Sequence, residues 1–491
     1  MSMSARNKRA LPLVTGATLL LAGCTVGPDF KAPDPPAVPQ YTSGTQPSAT
    51  APARNAAQSF DISAALPAEW WSLFASPALD QAVKDALQGS PSIAAARATL
   101  KEAQDELKSG EGAFYPQISA GFSAAREHPA TNATPLKFHE GTFNLFTLSG
   151  EVSYTLDLFG GERRQVEGLS AAVDYQKNAA RAASLTLAAN VANTLIALAA
   201  YRAEIEATQE IVGFEKKQVA LAGVTARAGT QSYAAQLSLE TQLESIEATL
   251  PALRQKASQA EHLLAVLEGK FPAQSVPAAI AFDDLTLPRK LPLSLPSSLT
   301  RERPDILEAE ANLHIASAQV GVATAAMLPD ITLSGGSGYS DTALSSLFAG
   351  PSNLWSLGAG IAQPIFEGGM LYYRREATKD AYDAAAADYR QTVLTAFQQV
   401  ADSLRALEHD ADALAAQDRA VATAHRALRL VQANYSGGLA TYSDVLIADA
   451  QYNQARIADI EANAARYQDT VALFTALGGG WWNDDEKLAA R

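Results

Sequence analysis

The feature that most constrains this chain is a long internal repeat. Ser90-Pro91-Ser92-Ile93 opens one helical stretch, and Arg303-Pro304-Asp305-Ile306 opens another of the same kind. The two prolines are 213 residues apart, and the later pair Phe159 and Phe366 is still 207 residues apart. Because the offset changes so little, the two copies differ in length by only a few residues. The 491-residue chain is therefore predicted to use one large structural unit twice, unlike the many short copies of a solenoid.

The first residues have the form of a bacterial lipoprotein signal. Three basic residues precede an apolar run, residues 10–22, which is too short to span a bilayer permanently. The run ends in Leu21-Ala22-Gly23-Cys24, which resembles a lipobox that is cleaved before a cysteine, the cysteine then being acylated. Cys24 is the only cysteine, so it cannot form an internal disulfide, and a buried or free thiol is the alternative. We expect residues 1–23 to be removed and Cys24 to carry a covalent lipid, with Thr25 in the next position favouring the outer membrane.

The net charge and the hydropathy limit the classes of protein to which this chain can belong. Removal of residues 1–23 takes away three basic residues and no acidic ones, so the formal net charge falls from −14 to about −17. That acidity argues against a nucleic-acid partner. No run of 18 apolar residues follows Cys24, so no transmembrane helix is predicted. Residues 25–55 are rich in proline, alanine, serine and threonine, which favours an extended tether.

Most of each repeat has the pattern of a long helix packed in a coiled coil. No proline lies between Gly161 and Gly229, and neither proline nor glycine lies between Gly369 and Ser436. Apolar residues recur at heptad spacing in both stretches: Val191, Leu198, Ile205, Val212, Val219 and Ala226 in the first, and Val393, Phe397, Val400, Leu404, Leu407, Ala411 and Leu414 in the second. Such a repeat predicts long helices packed side by side with a left-handed supercoil. Shorter partner helices are predicted at about 231–267 and 441–477.

Between the helices the period changes to two, which predicts β-strands. Phe146, Leu148, Gly150 and Val152 alternate with polar residues, and three other segments alternate in the same way. Each repeat therefore contributes one hairpin, at about 117–157 and 331–365. Strands of ~9–11 residues are long enough to cross an outer membrane, although a soluble two-sided sheet is the alternative. Four strands cannot enclose a lumen and a membrane does not tolerate an open edge, so membrane strands would have to be shared among subunits.

Two acidic residues fall on the polar phase of these strands. Glu151 and Asp157 either face a lumen and favour cationic solutes, or simply solvate the polar face. The six histidines lack metal-ligand spacing, and no motif suggests a nucleophile with its base. We therefore predict no catalytic, metal or cofactor-binding residues, and no enzyme activity. A lipid-anchored coiled-coil scaffold protein without a pore is the alternative function.

Several motifs together resemble the TolC-like outer-membrane efflux factors, and among them the NodT-type lipoproteins. They run the full length of the mature chain: Cys24-Thr25-Val26-Gly27-Pro28-Asp29-Phe30, Trp70-Trp71-Ser72-Leu73-Phe74, Arg303-Pro304-Asp305-Ile306 with Ala309-Glu310, and Tyr435-Ser436-Gly437-Gly438 with Tyr442 and Val445-Leu446. The resemblance implies an α+β membrane protein: long α-helical hairpins form a periplasmic tunnel, and four strands per chain form a transmembrane β-barrel shared by a homotrimer. It also implies a passive exit channel for drugs or other small molecules, supplied by a periplasmic adaptor (membrane fusion) protein and an inner-membrane pump of RND type.

The resemblance also assigns roles to the two helix turns. Adaptor docking is expected at Gly229, Thr230, Gly438 and Leu439, and the periplasmic gate at Tyr442 and Asp444. Many relatives have a polar or acidic residue where Ile447 stands here, and Asp449 follows two residues later, so the acidic residue of the gate is left open. The predicted domains are a signal peptide (1–23), a lipid-anchored extended segment (24–60), a first repeat (61–270), an equatorial linker (271–300), a second repeat (301–480) and a tail (481–491).

Overall fold

The computed structural model describes residues 25–43, 48–54, 57–62, 64–128, 141–274 and 280–483. The chain divides into two compact units. The strand unit consists of Met1–Pro33, Leu100–Gln176 and Ala309–Tyr389, and the helical unit of Asp34–Thr99, Lys177–Glu308 and Arg390–Arg491. Cys24 and the predicted signal peptide lie outside the described residues.

The two repeats contain corresponding elements in the same order, except that two helices at the end of the first correspond to one helix in the second. The first has α1 (Pro77–Gly89), α2 (Pro91–Glu111), β2 (Gln117–Glu127), β3 (Phe143–Leu156), α3 (Gly161–Arg227), α4 (Tyr233–Glu247) and α5 (Leu250–Leu267). The second has α6 (Pro296–Glu302), α7 (Pro304–Ala325), β5 (Asp330–Asp341), β6 (Asn353–Ala362), α8 (Met370–Ser436) and α9 (Tyr442–Ala476). Two short strands, β1 (Ser59–Asp61) and β4 (Lys290–Pro292), pair in parallel. The segment 271–300, predicted as a linker, therefore contributes a strand and the start of a helix.

The four long strands form one antiparallel sheet in the order β2-β3-β5-β6. The register places Ile118 opposite Val152, Val152 opposite Gly335 and Gly335 opposite Leu357. Because side chains alternate along a strand, this row identifies one face of the whole sheet. That face carries apolar side chains, among them the exposed Ile118, Phe122, Trp355, Leu357 and Ile361. The strands and their apolar phase agree with the alternation in the sequence.

The opposite face of the sheet is polar and lined mainly by small residues. Thr147 and Ser340 lie opposite each other there, and their hydroxyl oxygens are 3.0 Å apart. Between the ends of the described strands, Glu151 is the one charged residue on this face. Asp157 has a different role, because its carboxylate accepts from the backbone N–H groups of Glu162 and Arg163 at the start of α3. Asp157 thus caps a helix, whereas Glu151 lies inside the polar face, with Glu127 and Asp330 on the same face at the ends of their strands.

The long helices α3 and α8 each contain 67 residues, which gives ~100 Å at 1.5 Å per residue. Their heptad positions are mostly buried, including Val191, Leu198, Val400, Leu407 and Leu414. By length and composition, α3 contains an 18-residue window that could cross a membrane, with a mean hydropathy of 1.5. Since 56% of that window is buried against the rest of the chain, its apolar residues serve helix packing.

The two partner helices differ between the repeats. The sequence predicts one helix at about 231–267, but the structure has two, α4 and α5, separated at Ala248 and Thr249. Pro251 lies in the first turn of α5, where its missing N–H is harmless; within a continuous helix it would remove a hydrogen bond. The second partner helix, α9, contains no proline and runs unbroken for 35 residues.

Residues of two sequence motifs pack in the core of the helical unit. Trp70 and Phe74 are fully buried, and both rings contact Phe474. Arg303 is buried beside α7 and donates hydrogen bonds to Asp305 and to the carbonyl of Ala476. These contacts give Arg303 and Asp305 a structural role, with Pro304 as the first residue of α7.

Candidate functional site

Two helix turns with the same backbone geometry form the candidate site. At the end of α3, Gly229 N–H donates to the carbonyl of Ala226, and Thr230 N–H donates to the carbonyl of Thr225. At the end of α8, Gly438 N–H donates to Tyr435, and Leu439 N–H donates to Asn434. Both sets are the paired bonds of a Schellman motif, which requires a left-handed residue after the helix. Gly229 and Gly438 supply it, with φ of +72° and +71°.

Each turn leads directly into the next helix through a side-chain cap. Ser232 accepts a hydrogen bond from the backbone N–H of Ala235 and so starts α4. Thr441 accepts from the backbone N–H of Asp444 and so starts α9. In both turns the glycine precedes the capping residue by three positions, so the repeat extends to the details of the loops.

The four residues expected to dock the adaptor are all exposed. Gly229, Thr230, Gly438 and Leu439 lie on the surface of the helical unit, and Leu439 is 83% exposed. A Cβ atom added to either glycine would meet no other atom within 4 Å. An exposed apolar side chain beside open backbone is suited to contact another protein.

The two gate candidates occupy different environments. Asp444 is exposed, and its carboxylate accepts from both the backbone N–H and the hydroxyl of Thr441, at 2.8 and 2.7 Å. These two hydrogen bonds lower the pKa of Asp444, and the bond from the hydroxyl has the larger effect. The carboxylate therefore stays ionised at the positive end of α9. Tyr442 is half-buried, and its ring meets Tyr435 edge-on at a centroid distance of 5.3 Å.

A buried pair of carboxyl groups lies close to Tyr442. Glu215 on α3 and Asp449 on α9 are 1% and 4% exposed, and their carboxyls are within hydrogen-bond contact. Asn453 donates to Asp449 at 2.7 Å, whereas Oε2 of Glu215 has no partner. Burial, reinforced by Asp449, raises the pKa of Glu215 to about 8, and burial also raises the pKa of Asp449. Two buried carboxyls in contact cannot both ionise cheaply, so the pair shares a proton and joins the two helices.

The position of Asp449 bears on which acidic residue belongs to the gate, a question that the sequence left open. Because Asp449 faces Glu215 within the same protomer, its carboxylate is committed to helix packing. Asp444 and Ile447, by contrast, are both exposed at the start of α9. Sequence patterns did not reveal the pair, since Glu215 occupies an ordinary polar position of a heptad and its partner is 234 residues away.

The pair predicts that the packing of α3 on α9 weakens as the pH rises. The pKa of Glu215 is about 4.5 in an unfolded chain and about 8 when folded, so the folded state holds more protons across this interval. The stabilisation is complete below pH 4.5 and is lost as the pH rises through about 8. Amide hydrogen exchange, corrected for intrinsic rates, should show faster opening of residues near Glu215 at pH 9 than at pH 6.

A matched pair of variants tests whether Glu215 causes this pH dependence. Glu215→Gln should remove most of the pH dependence, because an amide hydrogen-bonds to Asp449 without titrating. Glu210→Gln changes an exposed carboxylate on the same helix, which pairs with Arg456 at 2.9 Å, and should leave the dependence intact. The same pH profile in wild type and Glu215→Gln would contradict the assignment.

Within the described residues, no group of three or more histidine, cysteine, aspartate or glutamate side chains is placed to hold a metal ion.

Comparison with known proteins gives a consistent result along most of the chain. The family model described as "Outer membrane efflux protein" matches residues 82–270 and 295–479. The pyoverdine export outer membrane protein OpmQ of Pseudomonas putida is 31% identical over 423 residues, which cover 84% of this chain and 88% of that protein. The protein named "Probable outer membrane lipoprotein SilC" of Salmonella typhimurium is 28% identical and covers 96% of this chain and 99% of its own length.

A solved structure agrees with these relatives. The outer-membrane channel OprN superposes with a TM-score of 0.84 at 27% identity, covering 93% of this chain and all of the OprN chain. The two segments matched by the family model include both helix turns and both strand hairpins described above. The family expected from the sequence motifs is therefore confirmed: this chain belongs to the outer membrane efflux protein family.

Proposed function

We propose that this protein is the outer-membrane exit channel of a tripartite efflux system, a passive conduit for drugs or other small molecules. The observation that carries the proposal is a four-stranded sheet with one apolar and one polar face. An apolar face suits lipid, and a polar face of small residues leaves room for a lumen. The outer-membrane location and the channel class are those of the family to which the chain belongs.

The edges of the sheet support a homotrimer. β2 and β6 lie at its two edges, and within the sheet each pairs on one side only. A lipid bilayer offers no hydrogen bonds to an open edge, so a spanning sheet has to close on itself or on other copies. Three copies would give a closed barrel of twelve strands, and three sets of long helices would continue as a periplasmic tunnel. The two repeats at 61–270 and 301–480 would each supply one hairpin per chain.

A passive channel has no energy source of its own, so it needs partner proteins that drive transport. We propose that the helix turns at Gly229-Thr230 and Gly438-Leu439 contact a periplasmic adaptor, and that an inner-membrane pump drives the transport. Tyr442 and the exposed Asp444 are the proposed gate residues. The alternative of a scaffold without a pore gives no reason for the two-faced sheet, and no relative described above is named as a scaffold.

Reconstitution tests the channel and its oligomeric state together. The purified protein in detergent should have roughly three times the protomer mass, which is 51.7 kDa before processing, and should conduct in a planar bilayer. A protein of single-protomer mass that still conducts would refute the shared barrel. A trimer that never conducts would favour the scaffold.

Lipid attachment to Cys24 is a separate prediction. We propose that Cys24 is acylated after cleavage at Gly23, a role consistent with the lipoprotein name of SilC. One lipid together with a barrel exceeds what stable membrane attachment requires, so the lipid assists attachment and is not essential to it. Labelled palmitate should enter the wild type and not Cys24→Ser. Incorporation into Cys24→Ser would show that the lipid lies elsewhere.

A further inference from the structure

The first described residues after Cys24 are held firmly in the strand unit. Val26 N–H donates to the carbonyl of Phe159 at 2.9 Å, and Thr25 packs against Gly160. Phe159 and Gly160 lie between the end of β3 and the start of α3. The chain therefore leaves Thr25 towards Cys24 at the junction where the sheet meets the helices.

Arg164, in the first turn of α3, makes most of the contacts that hold this segment. Its guanidinium donates to the carbonyls of Val26 and Gly27, at 3.1 and 3.4 Å, and to the carboxylate of Asp29 at 2.6 Å. Only 5% of the Arg164 side chain is exposed, and Glu167 neutralises it from the other side at 2.7 Å. We call Arg164 with residues 25–30 the N-terminal clamp.

Two glycines allow the close packing of the N-terminal clamp. Gly27 has φ +91°, and a Cβ atom there would collide with the backbone of Gly321 on α7. A Cβ on Gly321 would in turn come within 2.7 Å of the Arg164 side chain. The N-terminal segment, α7 and Arg164 therefore cross at a distance that only glycine permits.

An aromatic contact secures the far end of the clamp. The ring of Phe30 stacks on His314, with centroids 4.2 Å apart and an angle of 11° between the planes. Nε2 of His314 is 2.9 Å from the carboxylate of Glu167, which also pairs with Arg164. The clamp is thus one connected network, and one of its members, Asp29, has a side chain that is 87% exposed.

We propose that Arg164 is a positioning residue for the lipid anchor: the clamp fixes the chain next to Cys24 at the junction of sheet and helix, so that acyl chains and strands enter the same membrane surface together. The proposal rests on the proposed function, namely on a lipid at Cys24 and on strands that span the membrane. Its physical basis is effective concentration, since an anchor held at one place raises the local concentration of the strands at the bilayer. A freely extended tether would not do so, because its acyl chains could insert far from the sheet.

Three changes test the clamp, each measured by the rate at which newly made protein becomes extraction-resistant trimer in the membrane. Asp29→Ala removes an exposed partner and leaves Arg164 paired with Glu167, so folding should survive. Arg164→Gln removes the clamp itself. Insertion of twelve Ser/Gly residues between Cys24 and Thr25 leaves every clamp contact in place but lets the lipid move over ~19 Å. All three should slow assembly several-fold while labelled palmitate is still incorporated.

The decisive comparison repeats the three changes in the Cys24→Ser background. If the clamp acts by positioning the lipid, Cys24→Ser should slow assembly as much as the clamp variants do, and the double variants should be no slower. Additive losses would make Arg164 a residue of ordinary packing and overturn the proposal. A normal assembly rate with the Ser/Gly insertion, or in Cys24→Ser itself, would also overturn it.

The conductance of finished trimers separates this proposal from the channel function. Trimers of every variant, once assembled, should conduct as the wild type does, because the clamp sets only the route into the membrane. Normal conductance with additive assembly losses would refute the clamp and leave the channel standing, whereas a wild-type trimer that does not conduct would refute the channel itself.

Discussion

Leu148→Arg is expected to prevent assembly of the channel in the membrane. Leu148 lies in the middle of β3 on the apolar face, opposite Phe122 and Tyr339 in the neighbouring strands. An arginine facing lipid near the bilayer midplane costs ~2–4 kcal/mol, and the cost would fall on each of three subunits. The fraction of protein recovered as extraction-resistant trimer from outer membranes measures the effect, and we expect almost none.

Thr147→Arg is the matched control, since it places the same charge one residue away on the other face. Thr147 loses its contact with Ser340, but an arginine on the polar face can reach water. This variant should assemble normally and change only the single-channel conductance. Equal assembly of the two variants would mean that the faces of the sheet are assigned wrongly.

Gly438→Trp is expected to abolish drug resistance while leaving the trimer and its conductance unchanged. The space around Gly438 is open in the protomer, so a large side chain would meet no neighbouring atom and would occupy the proposed docking surface, although the backbone at φ +71° would be strained. Resistance measured as the minimal inhibitory concentration should fall to that of a strain lacking the channel. The expression level must match the wild type for the comparison to hold.

Backbone strain has to be separated from blocked docking. Gly438→Asn is the control, because asparagine tolerates the left-handed conformation that Gly438 adopts at φ +71°. It should keep most of the resistance. Full resistance in Gly438→Trp at normal expression would show that the turn is not the docking surface.

Changes to the proposed gate residues are expected to alter the conductance, which Gly438→Trp should leave unchanged. Replacing Tyr442 by Ala and Asp444 by Asn should raise the conductance of the isolated channel, because the aromatic ring and the negative charge proposed to close the gate are removed. Asparagine is preferable to alanine at position 444, since the Asp444 carboxylate also completes the cap of α9.

The elements of the fold could be predicted because their signals are local. Alternation along residues 146–156 identifies both a strand and its apolar face, and the register between strands agrees with it. Heptad spacing identified the buried positions of α3 and α8 in the same way, Val191 and Val400 among them. The two glycines in the turns were also predictable, because a left-handed residue after a helix is a requirement of a few neighbouring residues.

Predictions were less successful where one residue could serve two purposes. Asp157 continues the polar phase of β3, yet it caps α3, because free N–H groups at the helix start attract a carboxylate more strongly than an open face does. Asp444 is expected at the gate, and it also closes a capping box with Thr441. The break between α4 and α5 is not evident from the apolar pattern, which continues on both sides of Pro251.

By itself, the sequence determined the repeat, the long helices, the two-faced strands, the glycine turns and the family. Only the tertiary structure decided which distant residues meet: Glu215 with Asp449, and Asp29 with Arg164. Periodicity and capping depend on neighbours within a few positions, so a single sequence displays them directly. Contacts between residues 135 or 234 positions apart depend on how helices cross and where glycine allows close approach, which no local pattern records.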